Sequence, residues 1–393
     1  HVRGSPHRGM SDDAAAQDGL ADAEADASGD GSAAVLSGTY PTRRVAGATP
    51  TATGNRKQTA VVDFADTDTP RAVVVQTAPD EPELRREAAL TRSIGTRTPV
   101  PVPDVITGGS IPGGGYLVSE RAPGDDLHRR FVGLNSRSRA RVARSFGRFL
   151  AHLHGAFAFA GYGSVVFDAA EGCDAVDDGG VDPDAAVDGE IGAATGAVGW
   201  ADVLDTADPG TLLSAERAAA TAGTERAGTT WQSWFTQYAV EGIDALPSTF
   251  DDVRPTIQAS VEDAFDDLPR APPARLYPWD LRPGNALVAD SELSAVLDWG
   301  QPLAADPGLA VAKAEHLVCD WYVEDSEQLR HAFRAGYRAE RPLPEVPEEY
   351  RLIAVVRSAV DAAGEVTRPR YPERTGAEAV AFHKRRIHAV LDG

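Results

Sequence analysis

Residues 277–288 read YPWDLRPGNALV, which places Asp280, Arg282 and Asn285 within six positions of one another just before an apolar run. A further carboxylate, Asp298, closes the next apolar run in SAVLDWG. Transfer of a phosphoryl group needs a carboxylate to orient and deprotonate the attacking hydroxyl, cations on the transferring group, and metal ions to neutralise a polyphosphate. Asp280 can be that carboxylate, Arg282 can reach the transferred phosphate, and Asn285 can offer its amide oxygen to Mg²⁺, which prefers hard oxygen ligands. SAVLDWG reads as a buried strand that delivers Asp298 to the same metal, with Gly300 letting the chain turn away. An isolated Asp-x-x-x-x-Asn is an ordinary solvated turn. The combination with Asp298 is what gives this one weight.

These residues need a scaffold, and the chain supplies two kinds of pattern. TAVVDFAD (59–66) and RAVVVQTAP (71–79) are β-rich runs around the polar turn DTDTP, and PVPDVITGGS and GGGYLVSERAPG supply two more short strands. Between the two pairs, EPELRREAALTRSIG (81–95) predicts one helix that opens with Glu-Pro in its first turn and stops at Gly95. After Pro123 the character changes. SRARVARSFGRFLAHLHGAF (138–157) carries an apolar stripe through Val142, Phe146, Phe149, Leu150 and Leu153, and TWQSWFTQYAVEGIDAL resumes helical spacing after an acidic, glycine-rich insertion over 165–230. The expected fold class is α+β, with a small antiparallel sheet and one helix in an N-lobe (42–121), then a larger, mainly helical C-lobe (122–393). Residues 1–41 have almost no large apolar side chain and are expected to form a disordered tail, of which 1–9 precede the plausible start Met10.

Asp plus Glu total 59 against 38 Lys plus Arg, a net charge of −21, and lysine occurs only at 57, 313 and 384. Such a surface repels nucleic-acid phosphates and anionic headgroups, so neither is an expected partner. It resembles a proteome adapted to high salt, so the acidity cannot be used to infer a cationic substrate. Cys173 and Cys319 lack metal-ligand spacing and read as free thiols. With no stretch of about 20 apolar residues, the expectation is a cytoplasmic monomer or weak homodimer. His152 and His154 read as helix histidines with ordinary hydrogen bonds. Glu315, His316 and Asp320 in AEHLVCD could form a metal face, but nothing else in the sequence converges on them.

D-L-R-P-G-N followed by L-D-W-G and AADPGLAVA resembles the aminoglycoside phosphotransferase and choline-kinase-like family of small-molecule kinases, over roughly residues 42–164 and 231–393. GNRKQTAVV is similar to the family's first hairpin, YLVSERAPGDDL to its hinge, and LAHLHGAFAFAGYG to its first long C-lobe helix. The resemblance implies a bilobal, protein-kinase-like fold that moves the γ-phosphate of ATP or GTP to a hydroxyl of a small molecule. It implies Asp280 as base, with Arg282 on the phosphate, and Asn285 and Asp298 as Mg²⁺ ligands. It implies Glu87 as the helix glutamate, for which a solvated helix face is the alternative. Gly54, Asn55 and Lys57 would lie in the turn over the phosphates, Glu120, Arg121 and Ala122 at the adenine, and Asp306 would hold the helix that follows it. Aminoglycosides, sugars, amino alcohols and homoserine-like compounds are all acceptors in this family.

Two positions depart from the pattern. Gln76 stands where the third strand should end in a lysine that pairs with Glu87 and the phosphates, and Pro278 stands where a histidine should brace the metal-binding strand. These losses open an alternative, a pseudokinase that binds nucleotide without phosphotransfer. A lost charge-assisted hydrogen bond to phosphate costs about 1.5–3 kcal/mol, roughly one to two decades in affinity. Compensation by Arg56 or Lys57 in the hairpin turn, or by Arg85 or Arg86 just before Glu87 on the helix, would leave an active enzyme with weak nucleotide affinity. Lys57→Ala or Arg56→Ala is then expected to cost more nucleotide binding than Gln76→Ala in calorimetric titration, and equal losses in all three variants would refute the compensation.

Overall fold

The computed structural model describes residues 35–51, 57–167, 213–215, 230–290 and 292–393. By internal contacts these divide into two units.

The smaller unit comprises the described residues up to Leu84 and Val105–Arg121. Its antiparallel sheet contains β1 (Val45–Pro50), β2 (Gln58–Phe64), β3 (Ala72–Ala78), β4 (Val105–Ile111) and β5 (Gly114–Glu120), in the order β1-β2-β3-β5-β4. Alternation works here as strands demand: Val62 and Phe64 on β2 and Val73 and Val75 on β3 all point into one apolar cluster with Val118. β1 was not separately legible, because all its side chains are exposed and give no alternation. Residues 35–39 are helical, and Val35 and Leu36 are buried in the same cluster, with Tyr40 edge-on to Phe64 at 5.0 Å. The expected tail over 1–41 therefore ends too late: its last apolar residues, sparse as they are, cap the sheet. Residues 1–34 lie outside the described residues. The DTDTP turn is held by Arg43, which donates to Asp66 Oδ1 at 3.1 Å and to the Pro70 carbonyl at 2.8 Å.

The larger unit takes Arg85–Asp104 and the described residues from Ala122 to Gly393. The boundary expected at 121/122 thus misplaces most of the helix Glu81–Arg97, whose Leu90 and Ile94 join Val100 and Phe146 in the main core. Nor does that helix stop at Gly95. It runs on to Arg97, and the glycine serves close packing instead, since a Cβ there would stand 3.1 Å from Val102 Cγ2. The helix Ser136–Ala156 is capped by Asn135, whose Oδ1 accepts the Ser138 N–H at 2.9 Å, and it buries Val142, Phe146, Leu150 and Leu153 as its stripe requires. Its partner is the helix Glu327–Glu340.

Short strands complete this unit: β6 (Asp125–Asp126), β7 (Ala158–Phe159), β8 (Gly163–Phe167), β9 (Leu213–Ala215), β10 (Ala274–Tyr277), β11 (Ala286–Ala289), β12 (Glu292–Val296) and β13 (Leu303–Ala305). β10 pairs with β13, β11 and β12 form a hairpin, and β6 adds to its β11 edge. The start of the expected insertion, and residues 213–215 within it, are sheet rather than loop, for Val165 on β8 is fully buried and lies opposite Ala215 on β9. The rest of the insertion, 168–212 and 216–229, including Cys173, lies outside the described residues. No described helix is long and apolar enough to cross a membrane.

Two glycines let the long helices meet. A Cβ on Gly147 would lie 2.0 Å from the Phe333 carbonyl oxygen, and one on Gly336 would lie 2.0 Å from that of Arg144. Gly147→Ala is expected to lower stability by about 1–3 kcal/mol, although alanine is the better helix former by about 1 kcal/mol. Gly155→Ala on the same helix meets only the mobile end of Arg341 at 3.0 Å and should be neutral or stabilising. Urea denaturation of the two variants checks the contrast.

Candidate active site

The segment from β10 to β12 builds the catalytic candidate. β10 delivers the chain to Trp279 and Asp280; a single 3₁₀ turn, Pro283–Asn285, then reverses it into β11. Pro283 suits the first position of that turn, having no N–H to satisfy. Within it Arg282 Nε donates to Asp280 Oδ2 at 2.9 Å, and Asn285 Nδ2 donates to the same oxygen at 3.0 Å and to the Asp280 carbonyl at 3.0 Å. Among the described residues no hydrogen bond falls on Asp280 Oδ1 or on Asn285 Oδ1. One carboxylate oxygen is therefore fixed by two donors, and the other is presented to a ligand. The side chains of Asp280 and Arg282 are 25% and 27% exposed, enough for access. Burial works against the charge of Arg282, but Asp280, Tyr322 and Asp298 outweigh it and raise its pKa above the ordinary value.

Asp298 reaches the same place by a different route. Leu297 N–H donates to the Asn285 carbonyl at 2.8 Å, and Val296 N–H to that of Pro101 at 2.8 Å, so the end of the β11–β12 hairpin is tied to the Asp280 turn. Asp280, Asp298, Trp279 and Gln301 line one small cleft. The chain bends at Gly300 as expected, and the left-handed residue is Asp298, with φ of +64°. Aspartate tolerates that region better than most side chains, and strained backbone of this kind concentrates at functional sites. Two hard-oxygen groups, the Asn285 amide oxygen and the Asp298 carboxylate, suit a Mg²⁺ ion that draws its remaining ligands from phosphate and water.

Pro278 is buried and cannot brace anything with its side chain. Trp279 is fixed instead. Its ring lies edge-on to Tyr238 at 6.1 Å, 4.9 Å from Lys313 Nζ and 5.0 Å from the Arg357 guanidinium. Lys313 is 3% exposed and donates to the Arg357 carbonyl at 2.8 Å. Burial lowers its pKa from the usual 10.5 to about 7, with Asp280 pulling the other way. Neither Lys313 nor Arg357 was singled out from the sequence; the available signal was a lysine in the otherwise apolar stretch PGLAVAKA.

The remaining expectations divide. Asp306 caps the helix Pro307–Glu315, its Oδ1 accepting the Gly308 N–H at 2.7 Å and its Oδ2 the Tyr350 hydroxyl at 2.9 Å. Glu87, in the larger unit, is only 4% exposed, which removes the solvated-face alternative. Gln76, in the smaller unit, sits mid-sheet opposite Thr59 and Leu117, and Lys57 immediately precedes β2. Glu120 ends β5; Arg121 commits its N–H to the Ala72 carbonyl and its side chain to Asp63, each at 3.4 Å, and Ala122 opens the next segment of the larger unit. Gly54, Asn55 and Arg56 lie outside the described residues. His154 is buried against the Tyr337 hydroxyl at 2.7 Å, and burial lowers its pKa to about 3. Glu315 and Asp320 are taken up by Arg334 and Arg330, and no group of acidic, histidine or cysteine side chains among the described residues could hold a metal by itself.

A model of the phosphotransferase enzyme family matches residues 57–353. The chain belongs to that family. Among solved structures, this phosphotransferase is similar to a thermostable variant of aminoglycoside phosphotransferase APH(4)-Ia in complex with ADP and hygromycin B, at 14% identity and a TM-score of 0.57 over 91% of this chain and 97% of that one. Aminoglycoside 2'-phosphotransferase-IIIa with GDP follows at 13% identity and a TM-score of 0.52, over 90% and 96%. At such identities the likeness is one of fold, and it confirms the expected bilobal α+β class. No curated protein matches the chain.

Lys313 gives this site a pH signature in stability. Its folded pKa lies below the unfolded value, so between about pH 7 and 10.5 the unfolded chain binds the extra proton and stability rises with pH; below pH 7 the burial penalty is fully present. The slope from one such group is at most about 1.4 kcal/mol per pH unit. Lys313→Met is expected to flatten that rise in denaturation curves taken from pH 7 to 10.

Proposed function

We propose that this phosphotransferase moves the γ-phosphate of ATP or GTP to a hydroxyl of a small molecule. The carrying observation is the one-sided bonding of Asp280, with Oδ2 held by Arg282 and Asn285 and Oδ1 open. A carboxylate so oriented takes the proton of an acceptor hydroxyl as its oxygen attacks phosphorus. Arg282, at 2.9 Å from Asp280, orients the base and adds a positive charge beside the transferring group. Asn285 and Asp298 would hold Mg²⁺, which neutralises phosphate charge when bound. Trp279, wedged among Tyr238, Lys313 and Arg357, fixes the direction from which the acceptor reaches Asp280.

The alternative, a pseudokinase, is favoured by Gln76, a neutral amide at the centre of the smaller sheet. Asp280→Asn separates the two. It should retain nucleotide affinity while phosphotransfer falls by about 10²–10⁴-fold, since only proton acceptance is lost. Asp298→Ala should instead weaken Mg²⁺-dependent nucleotide binding in calorimetric titration. Unchanged turnover in the first variant, or unchanged affinity in the second, would remove these residues from the mechanism.

A further inference from the structure

The larger unit contains a cavity of about 760 Å³, a volume in the range of small-molecule sites. Trp279, Gln301 and Pro302 line both this cavity and the cleft of Asp280 and Asp298, so whatever fills it borders the base. One wall is aromatic, with Trp234 stacked on Tyr238 at 5.0 Å and Trp279 edge-on beyond.

The charged groups on the cavity are two arginines and two carboxylates, Arg86, Arg357, Glu241 and Asp361. They are not equally available. Glu241 accepts from Gln237 Nε2 at 3.1 Å, and Asp361 Oδ1 accepts the N–H groups of Ala363 and Glu365 at 2.9 and 3.0 Å, closing its own turn. Both arginines, by contrast, have a buried Nε with no hydrogen-bond partner. Neither forms an ion pair among the described residues. The Arg357 guanidinium lies 4.3 Å from the Tyr238 ring centroid and 5.0 Å from that of Trp279 and also hydrogen-bonds Tyr238, which still leaves its buried Nε without a partner. A buried guanidinium donor without a partner is costly, and the forked donor array of arginine matches carboxylate and phosphate oxygens. A site built for a polycation would present uncommitted carboxylates instead.

Resting on the phosphotransfer reading, we infer that the acceptor is a hydroxyl compound bearing an anionic group, carboxylate or phosphate, which Arg86 and Arg357 receive against the Trp234–Tyr238–Trp279 wall. The anion is anchored in the cavity and the hydroxyl extends past Trp279 toward Asp280 Oδ1.

Binding can be read without turnover in the Asp280→Asn variant, by tryptophan fluorescence and calorimetry at high salt. The probes are hydroxyl compounds in matched forms: a neutral sugar, its sugar acid, its sugar phosphate, and an aminoglycoside. Anionic members should bind more tightly than their neutral counterparts, and the sugar acid against the sugar phosphate tells which anion is preferred. Arg357→Gln and Arg86→Gln should each cost about ten- to a hundredfold in affinity for the anion and little for the neutral form, a difference that a merely structural role would not produce. Anionic selectivity without phosphotransfer in the unsubstituted protein would leave the site standing and remove the kinase reading. Preference for the aminoglycoside or neutral sugar, no anion binding at millimolar concentration, or equal losses for charged and neutral probes would overturn the inference.

Discussion

Both hydrogen bonds that fix the Asp280 carboxylate fall on one oxygen, and the rest of the site is arranged around that asymmetry. Arg282 and Asn285 come from the same 3₁₀ turn, so the geometry is set over six residues and needs no distant partner. What the distant parts contribute is Asp298. The Leu297 N–H on the Asn285 carbonyl continues the β11–β12 pairing and links the turn to the hairpin end, which sets the amide on one segment and the carboxylate on the other. The left-handed backbone of Asp298 is sustained because the chain is held on either side of it, by that contact before and by buried Trp299 after, whose Nε1 donates to the Val296 carbonyl.

A second constraint lies under Trp279. Burying an ammonium is expensive, and Lys313 is tolerated at 3% exposure because its amine meets a carbonyl and an aromatic face. Arg357 lies 5.0 Å from the same ring and also crosses Gly242, where a Cβ would stand 2.3 Å from Arg357 Cδ. Three helices, Trp231–Asp244, Pro307–Glu315 and Glu348–Ala359, thus converge on one side chain next to the candidate base. The usual histidine brace is absent at Pro278, and the support for the loop comes from this cation–aromatic layer, which doubles as a wall of the cavity.

The overall charge of −21 and the uncommitted arginines of the cavity pull in opposite directions. Long-range repulsion of anions by an acidic surface is screened within roughly 8–10 Å at moderate salt and less than that at molar salt, whereas buried pairs are screened far less. A high-salt setting therefore suppresses the unfavourable field and spares the local contacts. Surface charge and site charge answer to different demands, and reading one from the other would give the wrong sign.

The catalytic turn was legible from sequence because its chemistry is local: D-L-R-P-G-N fixes carboxylate, guanidinium and amide through turn geometry, and L-D-W-G follows within one hairpin. The strands of the small sheet and the stripe of Ser136–Ala156 were legible for the same reason, period two and period 3.6 being local properties. Where packing overrides local preference the sequence misleads, as with Gly95 inside a helix and Val35 and Leu36 inside a core, and it gives no sign of the left-handed backbone at Asp298. The cavity could not be read at all. Arg86, Trp234, Trp279 and Arg357 are separated by tens to hundreds of residues, and only the packed helices decide that they share a wall and that the two guanidiniums keep donors unspent.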